Sequence, residues 1–176
     1  MPFKAQFGPV NGILSSDFNH DDVPDLLMIG NNYGSESFNG AHDAFIGLYL
    51  EGDEKEGFIS KYDSKSGFFV DGDGRSLVSL FDKDMNQLII ASQNADSLKA
   101  FKVIGPAERD AWMRFSPEKF DRFITIYNKD GSQKLHELYY GSSYLSQSSR
   151  DFLINKSIIE KIIIVDYRGS SREIRF

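Results

Sequence analysis

The sequence predicts an all-β fold, and three observations carry that reading. Aromatic residues are plentiful, with 15 Phe and 8 Tyr, and Gly is as common as Phe at 15; such a balance favours strands and turns. Stretches rich in Ala, Leu and Glu at helical spacing are nearly absent. Short apolar runs are separated by turn signals about every 8–12 residues, as in a sandwich, barrel or propeller.

Taken in order, Phe7-Gly8-Pro9-Val10-Asn11-Gly12 reads as a turn before a short strand at Ile13-Leu14. Residues 26–29, Leu-Leu-Met-Ile, form an unbroken apolar run, which suggests a strand buried on both faces. A polar loop through Ser37-Phe38-Asn39-Gly40 leads to a strand over 44–50, and β structure resumes at Phe58-Ile59. Phe68-Phe69-Val70 and residues 77–81 are the next strands, joined by Asp71-Gly72-Asp73-Gly74-Arg75, in which Arg75 can pair with a neighbouring acid. Asp82-Lys83-Asp84-Met85-Asn86 turns the chain into 88–91, and 98–104 follows. Residues 107–114 are the best helical candidate and carry the only Trp, Trp112, expected as a hydrophobic plug between two units. Ser116-Pro117-Glu118-Lys119 has the order of an N-cap followed by proline, so a further helical turn is expected there. Strands return over 122–127, 134–140, 161–167 and 173–176, with a polar loop at 141–150.

The most informative stretch is Asp17-Phe18-Asn19-His20-Asp21-Asp22-Val23-Pro24-Asp25. Oxygen-bearing side chains fall at positions 1, 3, 5 and 9, supplied by Asp17, Asn19, Asp21 and Asp25, and the Val23 carbonyl occupies position 7. An all-oxygen set at that spacing suits a hard cation, Ca²⁺ above all. Without a cation, three carboxylates would repel one another across a tight turn. The alternative is a solvated acidic turn, since Asp and Asn are ordinary turn formers. An EF-hand is excluded, because Gly is missing at position 6, Met28 stands at position 12, and a strand follows. His20, between two of the candidate ligands, is expected to face solvent.

The phrase "FGPVNGILSSDFNHDDVPDLLMIGNN" resembles an FG-GAP/VCBS repeat, the blade unit of integrin-α-like β-propellers. That resemblance implies partial β-propeller-like blades and a calcium-binding loop. The family usually has Gly at position 6 and this chain has Asp22, a residue that tolerates left-handed backbone better than most. Asp82, Asp84 and Asn86 repeat positions 1, 3 and 5 at a distance of 65 residues, but Ile90 stands at position 9. They read as a decayed copy whose acids cap a hairpin. Further on, "YNKDGSQKLHELYYGSSYLSQSSRDFLIN…IIIVDYRGS" resembles an ASPIC/UnbV domain, a small C-terminal β domain that commonly follows VCBS repeats in secreted proteins. It departs from that family at Phe152-Leu153-Ile154-Asn155 and Asp166-Tyr167-Arg168-Gly169. The expected organisation is a repeat region over 1–104, a linker with short helical pieces over 105–120, and a β domain over 121–176.

Charge is distributed unevenly. Residues 1–57 hold 10 acids against 2 bases, and residues 99–176 hold 10 acids against 14 bases with no Lys/Arg run. The first region suits a cation, and neither suits nucleic acid. Cysteine is absent, which removes disulfides and thiolate chemistry. No apolar run is long enough for a transmembrane helix. No phosphate loop, zincin helix or nucleophile elbow is present. The expectation is a non-catalytic, calcium-binding module outside the cytoplasm, at the cell surface, in the periplasm or secreted, that binds a carbohydrate or protein partner. The rival readings are an accessory part of a secreted carbohydrate-active enzyme and a structural tail of a larger propeller. Sheet edges left open would be covered by the rest of a longer chain or by another subunit.

Overall fold

The computed structural model describes every residue except Ser35, Glu36, Ser37, Asn39, Glu54, Tyr62 and Ala107, and the side chain of Asp63. Part of the polar loop at 37–40 therefore lies outside the described residues. The chain is all-β, with thirteen strands among the described residues and helix confined to a four-residue turn, Asp63–Ser66, and two 3₁₀ turns. No helix among the described residues is long and apolar enough to cross a membrane.

The chain divides into two compact units. The first comprises Met1–Asp82, Asn86–Gly105 and Gly141–Ser148. Its strands β1 (Val10–Ser16), β2 (Asp25–Gly30), β3 (Leu48–Asp53) and β4 (Gly57–Lys61) form one antiparallel sheet in chain order. Strands β5 (Gly74–Phe81), β6 (Gln87–Gln93) and β7 (Lys99–Lys102) form a second, again in chain order. Strand β2 is buried on both faces, as its unbroken apolar run predicts. Leu27 and Ile29 pack with Phe68, Val70, Leu77, Ile89 and Ala91, while Met28 packs with Ala5, Phe45, Leu48 and Leu50. Phe68 and Val70 enter that core without forming the expected strand; the Val70 amide donates instead to the Ile46 carbonyl.

The far end of β2 is closed by Asn31, fully buried in left-handed backbone at φ 81°. Its amide nitrogen donates to the carbonyls of Phe45 and Gly72, and its oxygen accepts from the Phe45 amide. Asn11 ties the same corner by donating to the carbonyls of Asn31 and Gly74. Gly30 sits beside it because a Cβ there would fall 1.8 Å from the Pro9 carbonyl oxygen. The open edge of β5 meets the Gly141–Ser148 segment, where the Ser79 amide donates to Ser148 Oγ at 3.1 Å.

The second unit comprises Lys83–Met85, Pro106–Tyr140 and Ser149–Phe176. Strand β8 (Trp112–Phe115) pairs with β11 (Phe152–Asn155). Strands β9 (Asp121–Asn128), β10 (Gln133–Glu137), β12 (Ile159–Asp166) and β13 (Ser171–Arg175) form an antiparallel sheet of order β10-β9-β12-β13. Ile124, Ile126, Ile162 and Ile164 face a core completed by Phe115, Leu138, Ile154 and Ile159. The helix expected over 107–114 is replaced by a 3₁₀ turn, Arg109–Ala111, and β8. Residues Trp112–Phe115 find a partner in β11, so sheet pairing overrides local helical composition. The helical turn expected at 116–119 is likewise not helix: a turn follows, closed by the Asp121 amide donating to the Glu118 carbonyl at 3.2 Å and by Asp121 Oδ2 accepting the Glu118 amide at 2.7 Å.

Asp121 is buried and takes both guanidinium nitrogens of Arg172 at 2.6 Å each. A bidentate pair of this kind holds the start of β9 to β13. Replacing Arg172 with Met leaves a buried carboxylate with backbone donors only. A loss of about 2–3 kcal/mol by denaturant titration is expected. Burial pushes the Asp151 carboxyl up, but Ser149, Ser116 and Arg114 outweigh it and hold it below the ordinary carboxylate range. A folded pKa below the unfolded one stabilises above the unfolded value and loses that contribution as pH falls through the folded value. Asp151→Asn should therefore flatten the decline in stability below about pH 4.

Candidate metal centre

Strand β1 ends at Ser16 opposite Asp25, the first residue of β2, so residues 17–24 connect two paired strand ends. His20 at φ 63° and Asp22 at φ 68° hold left-handed backbone. Asp22 thus occupies a left-handed conformation that glycine adopts most readily. The two left-handed residues coil the chain so that its amides point back at the acidic side chains. Asp17 accepts from the Asp21 amide at 3.1 Å and the Asp22 amide at 2.9 Å. Asn19 Oδ1 accepts from the Asp21 amide at 3.2 Å, and Asp21 Oδ1 from the Val23 amide at 2.9 Å. Asn19 Nδ2 donates to Asp21 Oδ2 at 2.8 Å.

Asp17, Asn19, Asp21 and Val23 are therefore gathered on one loop, with Asn19 and Asp21 open to solvent. Asp25 is placed differently. Its carboxylate is fully buried and accepts from the Phe18 amide at 2.9 Å, the Tyr49 hydroxyl at 2.9 Å and the Gly52 amide at 2.8 Å. It joins the loop to β3 as well as to β2. Gly52 permits this approach, since a Cβ there would lie 2.3 Å from the Pro24 carbonyl oxygen.

Burial also sets the electrostatics. It pushes the Asp17 carboxyl above its ordinary range, against the opposing pull of the Asp22 and Asp21 amides and of His20. Burial and the neighbouring Asp25 carboxylate keep the Tyr49 hydroxyl protonated far above the ordinary tyrosine range. His20, expected to face solvent, is half-buried and makes an exposed contact with the chain at Ile104. Its Nε2 lies 3.1 Å from the Ile104 carbonyl oxygen, so that nitrogen carries the proton.

The donor chemistry fits a hard divalent cation. Three carboxylates, one amide oxygen and one backbone carbonyl lie on nine consecutive residues. A carboxylate has about four lone-pair sites; Asp17 and Asp21 each accept two bonds and Asp25 three. Acceptor capacity remains on each of them. Among the described residues, no three His, Cys, Asp or Glu side chains are drawn together on one point.

The second acidic turn is arranged as a hairpin cap. Asp82 accepts from the Asn86 backbone amide and side-chain amide, each at 2.8 Å, between β5 and β6. Met85 takes the left-handed position there at φ 61°. Asp73 is buried and pairs with Arg75 at 2.6 Å, and Asp71 pairs with Lys99 at 2.9 Å. Tyr49 and Gly52, the partners that fix Asp25, carry no signal in the sequence. They lie 24 and 27 residues downstream and are brought in only by the β2–β3 pairing.

No protein-family model matches the chain, and no curated protein matches it. What the fold and this loop define is an all-β protein with an acidic, oxygen-rich strand connection rooted in a buried aspartate.

Replacing Asp25 with Ala leaves one buried and two part-buried donors without their acceptor. A loss of about 3 kcal/mol is expected with chelator present. Tyr49→Phe removes one of those bonds and should lower stability by about 1 kcal/mol. Equal effects of the two changes would show that Asp25 is not the anchor.

Proposed function

We propose that this chain is a calcium-binding, non-catalytic β module that acts outside the cytoplasm on a carbohydrate or protein partner. The first unit is read as FG-GAP/VCBS-type propeller blades and the second as an ASPIC/UnbV-like domain. The observation that carries the reading is the connection from β1 to β2. Its left-handed turns at His20 and Asp22 gather Asp17, Asn19 and Asp21, and Asp25 roots it in the sheet. Ca²⁺ would be held by the side chains of Asp17, Asn19, Asp21 and Asp25 and the Val23 carbonyl. Three carboxylates leave such a site net negative, which favours retention of the ion. Two meanders in chain order, β1-β2-β3-β4 and β5-β6-β7, with β5 packed over β1 and β2, support the blade reading.

The reading as part of a larger propeller has its own support. Val78, Leu80, Leu88 and Ile90 share the face of the second sheet opposite Leu77, Ile89 and Ala91, and Leu80 is 40% exposed. A sheet apolar on both faces suits a further blade stacked against it.

Calcium at about 100 times its dissociation constant should add roughly 2.7 kcal/mol to stability, read as a rise in melting temperature over chelator. The rise should shrink as pH falls toward the carboxylate range, because protons compete for the same oxygens. Asp21→Ala should abolish it and Asp84→Ala should leave it intact. Identical melting in calcium and chelator would refute the site, as would a larger effect of Asp84→Ala.

A further inference from the structure

Three connections meet at one end of the β10-β9-β12-β13 sheet. They are the segment entering β9, the segment leaving β10 and the turn leaving β12. The Tyr167 amide donates to the Phe120 carbonyl at 3.1 Å, the Leu138 amide to the Arg122 carbonyl at 2.7 Å, and the Tyr140 hydroxyl to the Lys119 carbonyl at 2.8 Å. Each connection presents a large ring to solvent: Phe120 is 62% exposed, Tyr140 59% and Tyr167 52%. Three exposed rings on connections hydrogen-bonded to one another mark a contact face rather than scattered exposure.

Arg150 holds one ring and one turn of this end in place. Arg150 stacks 4.6 Å from the centre of the Tyr140 ring and donates to its hydroxyl at 2.8 Å. The same guanidinium donates to the carbonyls of Glu118, Lys119 and Asp121, fixing the turn that carries Phe120. Rigid aromatic side chains lose little freedom when a ligand docks on them.

The available charge on this face is positive. Lys119 lies 5.6 Å from the centre of the Phe120 ring, and Arg122 lies 5.8 Å from that of Tyr167. Neither makes an ion pair among the described residues, whereas the neighbouring acids are engaged. Asp121 and Glu118 pair with Arg172, and Asp166 accepts from the amides of Arg168 and Ser170. Glu137, at the end of β10, lies opposite Phe123 on the register.

We infer that this end of the second unit binds an acidic polysaccharide. Sugar rings stack by their C–H faces on Phe120, Tyr140 and Tyr167, while carboxylate or sulfate groups meet Lys119 and Arg122. Single-stranded nucleic acid would also stack, but it needs a basic track along its backbone, and two free cations do not make one. The inference names the ligand class for the binding module proposed above and does not depend on the calcium loop.

The test uses the full chain and measures binding of dextran sulfate, uncharged dextran of the same length and single-stranded poly-dT across a salt series. Dextran sulfate should bind at least tenfold more tightly than either of the others. The double variant Lys119→Ala, Arg122→Ala should weaken binding and reduce the salt slope by nearly two. Phe120→Ser and Tyr167→Ser should each weaken it by about 3- to 10-fold with melting temperature unchanged. Equal binding of dextran and its sulfate, tighter binding of poly-dT, no binding at all, or an unchanged salt slope in the double variant would each overturn the inference. Melting in calcium and chelator is measured on the same preparations, so a missing calcium shift counts against the loop and not against this face.

Discussion

Strand β2 is the constraint on which the first unit depends. A strand covered on both faces has no solvent side along which to relax, so its ends must be fixed by buried polar groups that are fully satisfied. Asp25 does this at one end and Asn31 at the other. Each reaches beyond its own hairpin: Asp25 to Tyr49 and Gly52, Asn31 to Phe45 and Gly72. The apolar packing of Leu27, Met28 and Ile29 supplies the drive to fold, but it does not set the register. The two polar pins do, because a one-residue slip would bury them without partners.

The second unit uses the same device with stronger chemistry. The Asp121–Arg172 pair and the Arg150 staple hold the segment before β9 to β13 and to the end of β10. These contacts are charge-assisted, so they are directional as well as attractive. A turn held by that many bonds can display rings to solvent in one arrangement.

Both candidate sites follow from strand ends made rigid. In the first unit a buried carboxylate transmits the state of a surface loop to a core strand. Anything that orders residues 17–24 therefore acts on β2 directly, through Asp25. In the second unit Arg150 fixes the turn and the Tyr140 ring, while Lys119 and Arg122 lie against the rings of the same end without an ion pair among the described residues. The candidate sites lie on connections and the packed cores in the sheets, the division expected where loops sit on a rigid scaffold.

Composition and turn spacing made the all-β class legible, and the unbroken run at 26–29 marked a strand buried on both faces. The left-handed backbone at Asp22 and the hairpin cap at Asp82 and Asn86 were also readable, because turn chemistry acts within a few residues. The helical reading of 107–114 failed for the opposite reason. Trp112-Met113-Arg114-Phe115 is indifferent by itself, and β11, nearly forty residues on, decides it. The partner of His20 was hidden likewise, since the Ile104 carbonyl is 84 residues away. That Asp25 also anchors the loop to β3 could not be read, because Tyr49 and Gly52 reach it only after the strands pair. Short-range steric and hydrogen-bonding preferences are written along the chain and survive without context. The burial of a polar group, and hence what it must bond to, exists only once distant strands have packed around it.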